Sequence, residues 1–331
     1  MPRPRYPTRE PMVPHVSRST SARAARAPRP SRGARPEAAE QGSAPPTTSA
    51  RFRDLDPYRA AREWARYEGT AQRSLWRELR DRFLERHAAN EGWVLDVGSG
   101  PGRFTPRLGG PASPRVALDL SREMLALLGQ GWRRHAGRRP LPHRVIGNGA
   151  RPPFASAAFA EVALLGNALG FSEAASDRLW AATLDLVAPG GTFVVEIAPG
   201  AGERSRYLAR LPATSVARLL RSPIAAVRLR LAREGFAPEP ARRKDAGAFR
   251  RYTVAELSQR LAGAGWEVLE VSAVAPALGA DAERIAEAKR DPKAWAHLME
   301  LEEQLGRVPE RWGSAAAVLI AARRPKLETR D

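Results

Sequence analysis

The stretch GWVLDVGSGPGRFTPRL, residues 92–108, decides the fold. Apolar positions run into Asp96, then Gly98, Gly100 and Gly102 alternate with other residues, then a short helical pattern begins. An ordinary strand-to-helix turn needs one glycine or two. An acid followed by three glycines in alternation points to a turn that holds something. Gly98 and Gly100 can take backbone angles closed to other residues and let a ligand approach the main chain. In an open parallel sheet, ligands bind beyond the carboxyl ends of the strands, and Asp96 with its turn arrives at that edge. The turn is expected to feed a helix over 104–108, whose free N–H groups would favour a pyrophosphate or an amino-acid carboxylate. The spacing is neither the dinucleotide fingerprint G-x-G-x-x-G nor the P-loop pattern, since Arg103 follows Gly102. A nicotinamide-dependent oxidoreductase is therefore disfavoured.

Outward from this turn, strand and helix patterns alternate. Strands are expected at 93–97, 115–119, 143–146, 161–165, 192–197, 266–272 and 315–322. Helical patterns fall near 55–90, 104–108, 122–135, 173–187 and 254–264, and two more, broken at Pro292, follow Asp281. Thr253 with Glu256 suits a capping box, and Gly265 a C-terminal cap. Strands alternating with helices predict an α/β fold, a doubly wound, mostly parallel sheet.

Three further segments carry chemistry. In RVALDLSREML, residues 115–125, Asp119 ends the second strand seventeen residues past Gly102. A carboxylate there can accept hydrogen bonds from two ribose hydroxyls, while Ser121 reads as the cap of the next helix. In IGNGARPPF, residues 146–154, Asn148 can read an adenine edge and Gly149 leaves room for a ring; an ordinary Asn-Gly turn is the alternative. In LLGNALGFS, residues 164–172, small residues at a sheet edge suggest a pocket floor.

Together these residues resemble the class I S-adenosylmethionine-dependent methyltransferases, which have a seven-stranded Rossmann-like sheet. VLDVGSGPG matches the family's first motif and VALDLSREML its second. IGNGARPPF resembles its Gly-Asp-Ala…Leu-Pro-Phe segment, and LVAPGGTFVVE (186–196) the entry to strand five. RYTVAELSQRLAGAGWEVLEV (251–271) is similar to its penultimate strand region, and 315–322 to its antiparallel last strand. The resemblance implies S-adenosyl-L-methionine as cofactor. Asp96, Gly98, Ser99, Gly100 and Gly102 would lie at its methionine end, Asp119 and Leu120 at the ribose, and Asn148, Gly149, Ala150 and Leu165 at the adenine side. The reaction implied is direct displacement at a sulfonium methyl. The chain departs from the pattern at Asn148, where the family has Asp, and at Ala160, where its Phe-Asp-x-Val motif has an acid.

The chain of 331 residues has no cysteine, which closes the covalent route to 5-methylcytosine. Strand four ends in GNAL rather than Asp/Asn-Pro-Pro-aromatic, and nothing suggests a metal site. A small-molecule O or N acceptor remains, with a nucleic-acid-modifying enzyme or a non-catalytic cofactor-binding regulator as alternatives. No residue declares itself a catalytic base; His135 and His143 read as surface histidines. The net charge of +18 is local. Residues 1–50 carry nine Arg against three acids, and 201–251 carry thirteen Lys and Arg against four acids. Residues 1–50 are expected to be a disordered basic tail, 51–325 the methyltransferase domain, and 326–331 a C-terminal tail. Within the domain, 200–251 is expected to be a helical lid whose Arg242, Arg243, Arg250 or Arg251 meets an acidic group on the acceptor. A cytoplasmic protein without membrane insertion is expected.

Overall fold

The computed structural model describes residues 71–137, 139–172, 176–199, 236–238, 248–277 and 282–326. The expected tail at 1–50, nearly all of 326–331, and most of the lid, including Arg242 and Arg243, lie outside them. In chain order the elements are α1 (Ala71–His87), β1 (Val94–Val97), β2 (Arg115–Asp119), α2 (Arg122–His135), β3 (His143–Ile146) and β4 (Phe159–Leu164). There follow α3 (Ala168–Phe171), α4 (Ser176–Asp185), β5 (Val187–Ile197), β6 (Phe236–Pro238), β7 (Ala248–Arg250) and α5 (Val254–Gly263). The chain ends in β8 (Glu267–Val274), α6 (Ala282–Ala288), α7 (Pro292–Gly306) and β9 (Ala317–Arg323).

Seven strands form one sheet in the order β3-β2-β1-β4-β5-β9-β8. All pairs are parallel except those of β9, which runs antiparallel to both neighbours. The central strands read as continuous apolar runs because helices cover both faces. One face packs Leu179 and Trp180 of α4 and Leu257 and Leu261 of α5 against Val162, Phe193 and Ile320. The other packs Leu75, Leu79 and Phe83 of α1 and Met299 of α7 against Val94, Ala163, Val194 and Leu319. Beside β2, Leu125, Leu128 and Trp132 of α2 cover Ala117.

Local signals place the element ends. Ser121 caps α2 by accepting from the Met124 N–H at 3.2 Å. Thr253 caps α5 by accepting from the Glu256 N–H at 3.0 Å. Past α5, Gly265 takes a positive φ of +77°, and the Trp266 N–H reaches the Leu261 carbonyl at 2.9 Å. That is the six-to-one closure of a left-handed helix stop.

Two expectations need correction. The helix expected over 104–108 is a single 3-10 turn, Thr105–Arg107. Pro106 has no N–H to continue it, Leu108 is already extended, and Gly109 turns the chain away at φ +62°. The buried Arg115 guanidinium pins that exit, donating to the carbonyls of Leu108, Gly110 and Ser113 at 2.9, 2.6 and 2.7 Å. The lid, expected to be helical, contains a two-stranded antiparallel ribbon, with Phe236 opposite Arg250 and Pro238 opposite Ala248. Its strand β7 lies against α3. Among the described residues no helix is long and apolar enough to cross a membrane.

Candidate active site

Strand β1 delivers Asp96 and the glycine turn to the carboxyl edge, between β2 and β4. Gly98, Gly100 and Gly102 all have positive φ, at 69°, 54° and 77°. Two of them differ in what surrounds them. A Cβ on Gly102 would come within 2.4 Å of Leu128 on α2, so this glycine lets helix and turn pack together. A Cβ on Gly100 would meet nothing within 4 Å; its face is open, as a ligand cradle requires.

The N–H groups of the turn are already used. Gly98 and Ser99 donate to the Leu118 carbonyl at 2.8 and 3.1 Å, and Gly102 to the Ser99 carbonyl at 3.0 Å. Gly100 donates to Asp119 Oδ2 at 2.8 Å. With those donors engaged, and only a 3-10 turn behind them, this is not a pyrophosphate nest.

Asp119 sits where the ribose reading needs it. Its Oδ1 accepts from the Ser121 N–H at 2.8 Å while Oδ2 holds Gly100. Burial raises its pKa, opposed by the N–H groups of Ser121, Gly100 and Leu120. Two main-chain donors fix the carboxylate, yet each oxygen keeps acceptor capacity for a hydroxyl. The donor set fits a ribose diol. Leu120 follows it, half-buried.

Asp96 is buried to 2% exposure and accepts from Thr105 Oγ1 at 2.6 Å. Burial pushes its pKa up to about 7, with the Thr105 hydroxyl opposing. The acid is therefore an anchor beneath the glycine turn. Ser99 is also buried.

At the end of β3, Asn148 Oδ1 accepts from the Ala150 N–H at 2.9 Å. This is the Asn turn weighed against an adenine contact, and it leaves the side-chain NH2 available. Gly149 is not explained by room for a ring. A Cβ there would come within 2.7 Å of Val97 and 2.8 Å of Leu179, so the protein itself demands the glycine. Leu165 is corrected likewise: at 4% exposure its side chain joins the apolar layer with Leu75 and Val194 under α1.

Sequence reasoning missed a pair at the same edge. Arg80 of α1 binds Glu196, near the end of β5, through Nε and Nη2 at 3.0 and 2.7 Å. Glu196 also accepts from the Gly166 N–H at 3.4 Å. Next to it Asn167 takes a left-handed φ of +61°, and its Oδ1 accepts from the Ala198 N–H at 3.3 Å. Loops after β4 and β5 are thus laced together under α1. A lone Glu in the apolar run FVVEI signals a buried paired charge; nothing local marks Arg80 as the partner.

Other candidates fall elsewhere. Arg251 donates to the Pro199 carbonyl at 3.3 Å, beside the end of β5, and Arg250 closes β7. His143 begins β3 and packs against Trp93, at the amino edge. Glu161, next to the missing acid of the fourth strand, is buried and accepts from the Ala89 and Gly109 N–H groups at 2.9 Å each. It anchors loops at the amino side and faces no cofactor.

Residues 95–195 match the family described as "Methyltransferase domain". The chain carries a class I S-adenosylmethionine-dependent methyltransferase domain, with S-adenosylmethionine as its cofactor. Similar solved structures include an S-adenosylmethionine-dependent methyltransferase from Mesorhizobium loti, at 19% identity and TM-score 0.42 over 77% of this chain and 99% of that one. A methyltransferase from Methanosarcina mazei has 14% identity and TM-score 0.46 over 74% and 98%. Geranyl diphosphate C-methyltransferase from Streptomyces coelicolor has 15% identity and TM-score 0.41 over 75% and 80%. Comparison with curated proteins finds no match.

Proposed function

We propose that this domain methylates an O or N atom of a small molecule. Asp119 takes the ribose hydroxyls, the Asn148–Ala150 turn meets the adenine, and the glycine turn over Asp96 holds the methionine end. The observation that carries the reading is the Asp119 carboxylate, fixed by Gly100 and Ser121 and still able to accept. S-adenosylmethionine supplies an electrophilic methyl group, so the chain's task is alignment and exclusion of water.

The carboxyl edge favours an acceptor that is already nucleophilic, such as a neutral amine. Asp96, Asp119 and Glu196 each already accept hydrogen bonds there. A hydroxyl acceptor needs a base, and these carboxylates are committed to structure. Arg251, near the end of β5, supports an acceptor with an acidic group. Incubating the protein with methyl-labelled S-adenosylmethionine and separated metabolite and RNA fractions tests the reading. Label should enter the metabolites. Label in RNA instead would assign the basic segments to nucleic acid, and cofactor binding with no label anywhere would make the protein a regulator.

A further inference from the structure

A second cavity, of about 360 Å³, opens away from the glycine turn. Its lining is Ser74, Arg77, Glu78 and Asp81 from one stripe of α1, Arg107 from the 3-10 turn, and Lys289 and Trp295 beside and on α7. The spacing i, i+3, i+4, i+7 puts the four α1 residues on a single face. Most of the polar groups are held in place. Trp295 Nε1 donates to Glu78 Oε2 at 2.8 Å, Lys289 Nζ to Ser74 Oγ at 2.6 Å, and Arg107 Nε pairs with Asp81 Oδ2 at 3.0 Å.

One atom is left over. Asp81 Oδ1 is buried and has no hydrogen-bond partner. A buried acceptor without a donor costs on the order of 1–3 kcal/mol. Burial lifts the Asp81 pKa to about 6 even though Arg107 and Arg77 pull it down. The same cavity carries cationic donors with spare capacity: Arg77 is exposed at its rim, and an ammonium such as that of Lys289 has three donors. An open acceptor and cations in one enclosed volume match a molecule with a donor at one end and an anion at the other. The volume is within the range of small-molecule sites, roughly 300–1,000 Å³.

We propose that this cavity binds a small amphoteric molecule, whose ammonium donates to Asp81 Oδ1 and whose carboxylate meets Arg77 and Lys289. The site is distinct from the cofactor edge but touches it through three residues. Thr105 of the 3-10 turn donates to Asp96, and Arg107 of the same turn holds Asp81.

L-serine is the probe, with acetate and ethylamine as its separated halves. The full chain is titrated with S-adenosylhomocysteine present in excess, so that the cofactor edge cannot take the amino acid. The Trp295 indole N–H resonance reports the cavity. L-serine should shift it saturably and bind at least about tenfold more tightly than either half. Asp81→Asn and Arg77→Ala should each weaken L-serine binding about tenfold. Arg77 is exposed, so that variant reports even if Asp81→Asn fails to fold. Equal shifts from L-serine and acetate, or parental L-serine affinity in Arg77→Ala, would overturn the proposal and leave the methyl-transfer reading intact.

Discussion

The Thr105 hydroxyl donates to the buried carboxylate of Asp96 at 2.6 Å, tying the 3-10 turn to the strand end beneath the glycine turn. Nine residues separate them, and the turn between them is the one that faces the cofactor edge. Thr105→Val keeps the shape and removes the donor, leaving Asp96 buried without it. This variant should lose about 1–3 kcal/mol of stability, read by urea denaturation. A stability equal to the parent's would show that the hydroxyl is dispensable to the turn.

Asp119→Ala should weaken S-adenosylhomocysteine binding by about 1–3 kcal/mol, roughly 10- to 100-fold, in calorimetry. The same change frees the Gly100 and Ser121 N–H groups, so a smaller loss of stability should accompany it. An unchanged dissociation constant would confine Asp119 to holding the turn.

Gly100 and Gly102 should separate on substitution. Gly102→Ala meets Leu128 at 2.4 Å and sits at φ +77°, so strain and overlap act together. It should cost about 2–4 kcal/mol. Gly100→Ala meets nothing within 4 Å and should cost only about 1–2 kcal/mol, from its backbone angle. Its larger effect should fall on cofactor affinity. Equal thermal shifts in the two variants would contradict the packing argument.

Removing Arg80 should be severe. Glu196 is 5% exposed at its side chain and Arg80 13%. Arg80→Met leaves a buried carboxylate without its cation, which costs roughly 3–5 kcal/mol. Pairing it with Glu196→Gln should recover much of that loss. A double variant no more stable than Arg80→Met would show that the guanidinium acts through other contacts.

Glu161 gives the fold a pH dependence. Burial pushes its pKa from 4.5 up to about 7, against the pull of the Ala89 and Gly109 N–H groups and Arg115. The folded state therefore holds a proton that the unfolded state has released between about pH 4.5 and 7. Stability contributed by that proton is complete below about pH 4.5 and lost as pH rises through about 7. Asp96, raised to about 7 by burial, acts in the same sense from about pH 4 upwards. Glu161→Gln should flatten the fall in unfolding free energy between pH 5 and 7 by on the order of 1–3 kcal/mol. An identical slope in parent and variant would assign the dependence elsewhere.

Much of this molecule was legible residue by residue. The apolar runs at 115–119 and 143–146 are strands with the bounds read from the sequence, and α2 has its expected span. Ser121, Thr253 and Gly265 end their helices through contacts a few residues long. Such signals are local, because a cap or a positive φ is satisfied within one turn of chain. The acid–glycine turn belongs to the same class, and with the order of later motifs it marked the cofactor. Tertiary structure decided the rest. Arg80 and Glu196 are 116 residues apart and meet only because α1 crosses the ends of β4 and β5. Gly149 looked like space for a ligand and proves to be space for Val97 and Leu179. Leu165 looked like a pocket wall and is core, since the side of the sheet it faces depends on which helix covers that side. The helix expected after Gly102 shrank to one 3-10 turn, held by an arginine from the next strand. In each case the deciding energy is a contact between distant segments, burial or a paired charge, which no short window of sequence contains.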